Sequence, residues 1–213
     1  MEPLTVALTK GRLLDGSVGL FRRLGYSCPV DNGSRQLLVD EPGAGLRFLL
    51  VKAGDLPVYV EYGAADLGIV GQDTLQESGR DVYEPLQLGF GHCRLVLAGA
   101  PQQHQRDLSL AGSVRVATRY PRLARAYFLQ RGISVELIHL SGSIELAPRI
   151  GLADLLVDVV ETGRTLRENG LVELDEIMQC QATVIVNRVS HHLRLAEVRR
   201  LLAAMQSVAG GVP

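Results

Sequence analysis

The sequence predicts an α/β protein of two lobes, each a mostly parallel sheet flanked by helices. Three observations carry this. Short apolar runs and amphipathic helical patterns alternate along nearly all of the 213 residues, the order that builds parallel sheets. A polar stretch without periodicity, residues 99–107, interrupts the alternation, and the pattern then restarts. Tyr62-Gly63-Ala64-Ala65-Asp66-Leu67 resembles Ile150-Gly151-Leu152-Ala153-Asp154-Leu155. In each, a helix ends on Gly, an Ala-Asp pair makes the turn, and an apolar strand follows. These read as equivalent joints in two related lobes, although short connectors are few in kind and can coincide by chance. Ligands of open α/β sheets bind beyond the carboxyl ends of strands, so a cleft between the lobes is expected.

Taken in order, residues 4–8 are a short apolar strand, and an amphipathic helix runs to about Leu24 with Gly25 as its stop. Residues 35–39 and 47–51 are strands joined by a Pro-Gly turn at 41–45. Asp55 reads as the N-cap of a helix with Pro57 in its first turn, and Gly63 ends it. Residues 65–70 are a buried strand leading into Gly71-Gln72-Asp73. A strand pair is expected around 86–88 and 93–97. Residues 114–117 are a strand, 121–130 a helix stopped by Gly132, and 135–140 a strand ending on Ser141-Gly142-Ser143. Ser143 reads as the N-cap of a helix over 145–150. Residues 156–160, rich in Leu and Val, make a buried parallel strand. Residues 173–187 return to strand character, 196–208 close as a helix, and the tail at 210–213 should fray.

Composition excludes several classes. Hydrophobic residues make up 46% and charged residues 21%, ordinary for a globular protein. A net charge of -1 and the absence of Trp give no support to a nucleic-acid partner. Three cysteines, Cys28, Cys93 and Cys180, with no CxxC spacing, argue against disulfides and structural zinc and for a reducing cytoplasm. No signal peptide and no run of membrane-spanning length is expected. Neither a Walker-type nor a GxGxxG loop occurs. The five histidines match no metal-binding spacing, and Cys93 reads as a small buried hydrophobe.

The segment 156–166 is the most informative. Its strand carries Asp158 and ends on Glu161, followed by Thr162-Gly163-Arg164-Thr165 and a helix start. Early-helix N–H groups lack internal partners and favour an anion, while the carboxylates could accept bonds from sugar hydroxyls. Phosphate and ribose gripped together indicate a phosphoribosyl group. Lys10-Gly11-Arg12 sits where the first strand meets the first helix. Two cations there are disfavoured by the helix dipole, which favours a polyphosphate role over a solvated helix start. Arg35 could be an edge-strand charge or a ligand contact. Lys52 could face the cleft. Asp73 could read an adenine amino group or serve as an N-cap. Glu145 could serve the site or simply sit in a first helical turn.

At these residues the chain resembles a known family, the short form of ATP phosphoribosyltransferase, first enzyme of histidine biosynthesis. The resemblance runs nearly end to end and rests on residues 9–13, 55–71, 115–121, 142–148, 151–154 and 161–166, with Asn169-Gly170. It implies a fold like periplasmic binding proteins, with lobe I from residues 1–99 plus 179–213 on the ATP side. Lobe II, residues 100–178, would carry the phosphoribosyl pyrophosphate loop. It implies transfer of the 5-phosphoribosyl group to N1 of ATP, with magnesium held mainly by substrate phosphates. Thr162, Gly163, Arg164 and Thr165 would hold the 5-phosphate; Glu145, Asp158 and Glu161 would serve the ribose. Lys10, Gly11, Arg12, Lys52 and Asp73 would bind ATP, and Lys10, Arg12 and Arg35 would handle the departing pyrophosphate as the catalytic set. With no room after Pro213 for the regulatory domain of longer relatives, the resemblance implies a homodimer within a hetero-octamer. The partner would be a regulatory subunit resembling histidyl-tRNA synthetase. Two other classes stay open: a two-lobed ligand-binding module and a catalytically silent partner.

Overall fold

The computed structural model describes residues 2–33, 35–41, 43, 45–105, 108 and 113–209. Turn residues Pro42 and Ala44, the end of the polar stretch at 106 and 107, and the tail at 210–213 lie outside the described residues. The elements in chain order are β1 (Leu4–Thr9), α1 (Leu14–Arg23), β2 (Leu38–Glu41), β3 (Leu46–Val51), α2 (Leu56–Glu61), β4 (Leu67–Gly71), α3 (Gln72–Ser78) and β5 (Tyr83–Gln87). Then come β6 (Cys93–Gly99), β7 (Val114–Thr118), α4 (Pro121–Gln130), β8 (Val135–His139), α5 (Leu146–Arg149), β9 (Leu155–Val160), α6 (Arg164–Glu168) and β10 (Val172–Cys180). The chain closes with β11 (Ala182–Val186), α7 (Arg188–Leu193) and α8 (Leu195–Ala209).

Two compact units account for these elements: Met1–His92 with Gln181–Pro213, and Cys93–Cys180. These bounds differ from the expected 99/100 and 178/179. The reason is pairing: β6 bonds along its length to β10 and to β9, so residues 93–99 and 179–180 go with the second sheet.

The first unit holds a six-stranded sheet in the order β2-β3-β1-β4-β11-β5. Strands β1, β3, β4 and β5 run one way, and β2 and β11 oppose them. One face is covered by α1 and α8. In α1 the residues Leu14, Val18 and Phe21 recur at helical spacing and are buried; in α8 Val198, Leu201 and Met205 do the same. They pack on Leu4, Val6, Leu8 and Phe48 of the sheet, each large side chain contributing about 1.5–3 kcal/mol by burial. On the other face, Leu56 and Val60 of α2 pack on Ala7, Val70 and Ile185.

The second unit holds a five-stranded sheet in the order β10-β6-β9-β7-β8. Here β7, β8, β9 and β10 run together and only β6 opposes. The strand expected to be parallel, β9, is central: parallel to β7 and antiparallel to β6. The expected pair around 86–88 and 93–97 does not form, since β5 bonds to β11 in the first sheet and β6 belongs to the second.

The two joints noted in the sequence are structural equivalents. Asp66 donates its N–H to the Thr5 carbonyl at 2.9 Å and accepts the Thr5 N–H at 2.8 Å. Asp154 donates to the Arg115 carbonyl at 2.8 Å and accepts the Arg115 N–H at 2.9 Å. Thr5 and Arg115 are each the second residue of their strand, and the next pairs are Val6↔Leu67 and Val116↔Leu155. Each Asp therefore sets the register of a parallel pair. No helix among the described residues is long and apolar enough to cross a membrane.

Candidate active site

In the second unit, β9 places Asp158 between Leu156 and Val160 on one face of the sheet, since side chains alternate. Leu156 and Val160 are core residues there. A carboxylate in that apolar row needs a polar neighbour, and a cavity of about 340 Å³ opens beside it, lined also by Glu145, Glu161 and the loop 162–165. Asp158 and Glu145 are half-buried, while Glu161, Thr162 and Thr165 are exposed. Gly163, the N-cap of α6, has φ 72 and ψ 7, a conformation that costs an L side chain. It turns the chain so that the first N–H groups of α6, which have no partner within the helix, stand over the loop.

The loop is braced from below. Arg167 donates to the Thr162 carbonyl at 3.0 Å, and Asn169 donates to the Thr165 carbonyl at 2.9 Å. The Asn169 side-chain oxygen accepts from Arg149 of α5 at 2.9 Å. Arg149 thus links the helix that follows Glu145 to the loop. Arg164 itself turns away: its guanidinium bonds to Glu168 at 2.7 Å and its side chain is 79% exposed. What Arg164 offers the loop is its backbone N–H.

In the first unit, Lys10 and Lys52 follow the carboxyl ends of β1 and β3, whose last register pair is Thr9↔Val51. The Lys10 N–H donates to the Val51 carbonyl at 3.0 Å. Gly11 donates to Oδ1 of Asn32 at 2.6 Å. Arg12 donates to the Gly91 carbonyl at 2.6 Å, and its second nitrogen lies 3.9 Å from Oδ1 of Asp73, whose side chain is 4% exposed. Lys10, Gly11, Arg12, Lys52 and Asp73 therefore gather at the carboxyl ends of β1, β3 and β4. Counting seven residues from the joint aspartates gives Asp73 in one unit and Glu161 in the other.

Several local expectations need correction. Arg35 does not open a strand; β2 starts at Leu38, and Arg35 lies in exposed coil. Among the described residues no hydrogen bond or ion pair ties it to Lys10 or Arg12. The N-cap of α3 is Gly71, so Asp73 is a first-turn carboxylate folded toward Arg12 rather than a cap. Asp55 occupies the N-cap position of α2 without a side-chain cap bond. Ser143 is not a cap: it has φ 50, uncommon for a residue with a side chain, and Glu145 holds the N-cap position of α5. Sequence reading missed Asn32, Arg149 and Arg167. Asn32 and Arg167 act on backbone groups and Arg149 on the Asn169 side chain, through loop contacts that leave no periodic signal; Asn169, beside Gly170, was the only member with a motif to mark it.

A sequence profile of ATP phosphoribosyltransferase matches residues 52–207. The ATP phosphoribosyltransferase of Syntrophotalea carbinolica is 49% identical over 208 residues, 96% of this chain and 94% of that protein. That of Halalkalibacterium halodurans is 47% identical over 213 residues, 99% of each chain. Among solved structures, the ATP phosphoribosyl transferase (HisG:HisZ) complex from Thermotoga maritima superposes with a TM-score of 0.84 at 33% identity, covering 98% of this chain and 100% of that one. The periplasmic aliphatic sulphonate binding protein SsuA from Escherichia coli gives a TM-score of 0.60 at 16% identity, covering 98% of this chain and 69% of that one. That second likeness shows the fold alone, that of periplasmic binding proteins. With the profile spanning most of its length and near-half identity over nearly all of it, the chain belongs to the ATP phosphoribosyltransferase family.

Proposed function

We propose that this chain transfers the 5-phosphoribosyl group of phosphoribosyl pyrophosphate to N1 of ATP, giving N1-(5-phosphoribosyl)-ATP and pyrophosphate, the first step of histidine biosynthesis. The observation that carries the reading is the cavity at the end of β9, where carboxylates and a glycine-turned helix start stand together. Thr162 to Thr165 take the 5-phosphate through backbone N–H groups and hydroxyls. Asp158 and Glu145 accept hydrogen bonds from the ribose hydroxyls, with Glu161 at the rim. In the first unit Lys10, Gly11, Arg12, Lys52 and Asp73 bind ATP, with Asp73 accepting from the adenine amino group.

The chemistry asks little covalent work of the protein. N1 of adenine attacks C1 of the ribose as pyrophosphate leaves, and positive charge develops on the sugar. The protein positions the two reactants and stabilises the departing charge, the latter through Lys10, Arg12 and Arg35. The reaction calls for a divalent metal ion, and we assign magnesium. The site's donors fit a hard cation: the cavity offers carboxylate and hydroxyl oxygens, with no sulfur or imidazole lining it. Substrate phosphates would supply most of the ion's oxygens, with Asp158 and Glu161 at hand. The ion supplies neutralisation of the pyrophosphate charge.

The solved relative from Thermotoga maritima is a complex of HisG with HisZ. It supports the reading that this chain works as a homodimer within a hetero-octamer, beside a regulatory subunit resembling histidyl-tRNA synthetase. The cytoplasm is the compartment in which those substrates meet. The likeness to SsuA favours a second reading, a binding module, but a binder has no use for a triphosphate-sized cation set in addition to a ribose site. The test is to mix the purified chain with ATP, phosphoribosyl pyrophosphate, magnesium and pyrophosphatase and follow the ultraviolet absorbance of phosphoribosyl-ATP. A rise that needs both substrates is expected. No rise, even with the regulatory subunit added, would leave the binding module or the silent partner.

A further inference from the structure

We propose that Arg119, within the stretch 115–121 but given no role above, is a further substrate-binding residue whose guanidinium grips the pyrophosphate of phosphoribosyl pyrophosphate; the proposal rests on the function argued above. Its first support is topological. The cavity is lined by Glu145, which follows β8, and by Glu161 to Thr165, which follow β9. Strand β7 lies between β8 and β9 in the sheet. It ends at Thr118, so Arg119 leaves the sheet at the carboxyl end between the two segments that build the cavity.

Register sharpens the placement. The pairs are Val116↔Leu155, Ala117↔Leu156 and Thr118↔Val157, and the Thr118 hydroxyl donates to the Val157 carbonyl at 2.8 Å. The pairing ends there, and Arg119 is the next residue, in the bend that follows β7. Arg119 and Asp158 each follow directly on the last pair, Thr118↔Val157, at the carboxyl end of the sheet. In the substrate, the pyrophosphate at C1 and both ribose hydroxyls lie on the same face of the sugar. A cation beside the carboxylate that holds those hydroxyls is thus beside the pyrophosphate.

Charge supplies the need. Three carboxylates and one arginine, Arg164, line the cavity, and Arg164 is turned onto Glu168. A polyphosphate in such a place requires more positive charge than the lining provides. Four other arginines of this unit are committed to protein acceptors: Arg94 to Glu173, Arg115 to Asp154, Arg149 to Asn169 and Arg167 to Thr162. Arg119 is exposed, and among the described residues no hydrogen bond or ion pair engages its guanidinium. A planar guanidinium suits paired phosphate oxygens.

Ribose 5-phosphate is the probe that separates pyrophosphate binding from support of Asp158 or the loop, because it lacks the pyrophosphate. Binding of phosphoribosyl pyrophosphate and of ribose 5-phosphate would be measured by calorimetry, with magnesium, for the wild-type chain, Arg119→Ala and Arg119→Lys. Circular dichroism would check each fold. Arg119→Ala should weaken phosphoribosyl pyrophosphate about tenfold to hundredfold, the range for losing a charged hydrogen-bond donor. It should leave ribose 5-phosphate unchanged, with Arg119→Lys recovering part of the loss. The KM for phosphoribosyl pyrophosphate should follow, and that for ATP should not. Unchanged phosphoribosyl pyrophosphate binding in both variants, or equal weakening of the two ligands, would overturn the proposal. A wild-type chain that binds neither ligand would refute the function itself, and the proposal with it.

Discussion

Gly163→Ala probes whether the turned loop is what holds the 5-phosphate. Gly163 has φ 72, and an added Cβ would lie 3.0 Å from Nη1 of Arg167 and 3.2 Å from Oε1 of Glu173. The left-handed backbone costs an Ala about 1–2 kcal/mol. The close contact adds a second effect, because Arg167 must give by a few tenths of an ångström, which weakens its 3.0 Å bond to the Thr162 carbonyl. A bond from a charged donor is worth about 1.5–3 kcal/mol, and exposure of Arg167 puts this one at or below the low end. Together the change amounts to roughly 2–3 kcal/mol. If the loop takes its turned form only with ligand, the whole amount appears as affinity. Binding of phosphoribosyl pyrophosphate then weakens about 30-fold to 150-fold, at 1.36 kcal/mol per decade. If the loop is already turned in the free protein, the amount appears as stability, about 2–4 °C of Tm per kcal/mol at this length. Calorimetric titration and thermal melting on one sample read both shares. Wild-type affinity together with a wild-type Tm would refute the reasoning, since neither the turn nor its bracing would then matter.

Three further outcomes are expected. Gly68→Ala should lower Tm: the new methyl would stand 2.5 Å from Cδ2 of Leu56 and 3.0 Å from Cγ2 of Val60, and overpacking at about 1–3 kcal/mol exceeds the 0.4–1 kcal/mol that reduced chain entropy returns; an unchanged Tm would mean α2 lies looser on β4 than described. Burial, partly offset by Arg22 and reinforced by Glu41, pushes the Cys28 thiol up to about 11 from 9.0. A folded value above the unfolded one means that this contribution is complete below pH 9 and is lost as pH rises toward 11, so the urea midpoint should fall less between pH 8 and pH 10.5 in Cys28→Ala than in wild type; equal falls would dismiss the effect. Arg12→Ala should lower kcat by roughly tenfold to a thousandfold, as when a contact to transition-state charge is removed, and an unaltered kcat in a folded variant would take Arg12 out of that role.

What was legible in the sequence follows from how local each feature is. Helix α4 occupies the expected residues 121–130 because Pro121 starts it and Gly132 follows its end. The loop 161–165 was legible for the same reason: strand, turn and helix start are contiguous. Sheet membership was not, because pairing is decided far along the chain. Strands β5 and β6 are five residues apart yet belong to different sheets. The polar stretch 99–107 attracted the lobe boundary by composition. The chain in fact crosses between units beside His92 and Gln181, at positions whose composition marks no linker. Helix α7 went unread because six residues give no period; its start is secured by Asn187, which accepts the Ser190 N–H at 2.8 Å and donates to the Val60 and Glu61 carbonyls.

The equivalence of the two joints bears on how the same scaffold serves two substrates. Seven residues past the joint aspartates, Asp73 is buried beside Arg12 while Glu161 is exposed at a cavity rim. The first unit gathers Lys10, Arg12 and Lys52 around one carboxylate, a net positive strand end suited to a triphosphate. On the proposed function, the second gathers carboxylates for hydroxyls and leaves the 5-phosphate to uncharged N–H and hydroxyl donors. Full charges at partly exposed sites are screened by salt far more than short hydrogen bonds from neutral donors. Raising ionic strength from about 0.01 M to 0.15 M shrinks the Debye length from about 30 Å to about 8 Å. Affinity for ATP should therefore fall steeply over that range, while affinity for ribose 5-phosphate falls little. Titrations of both ligands along one salt series decide the matter: parallel slopes would mean that the 5-phosphate is held by charge after all, and that Arg164 turns inward when it binds.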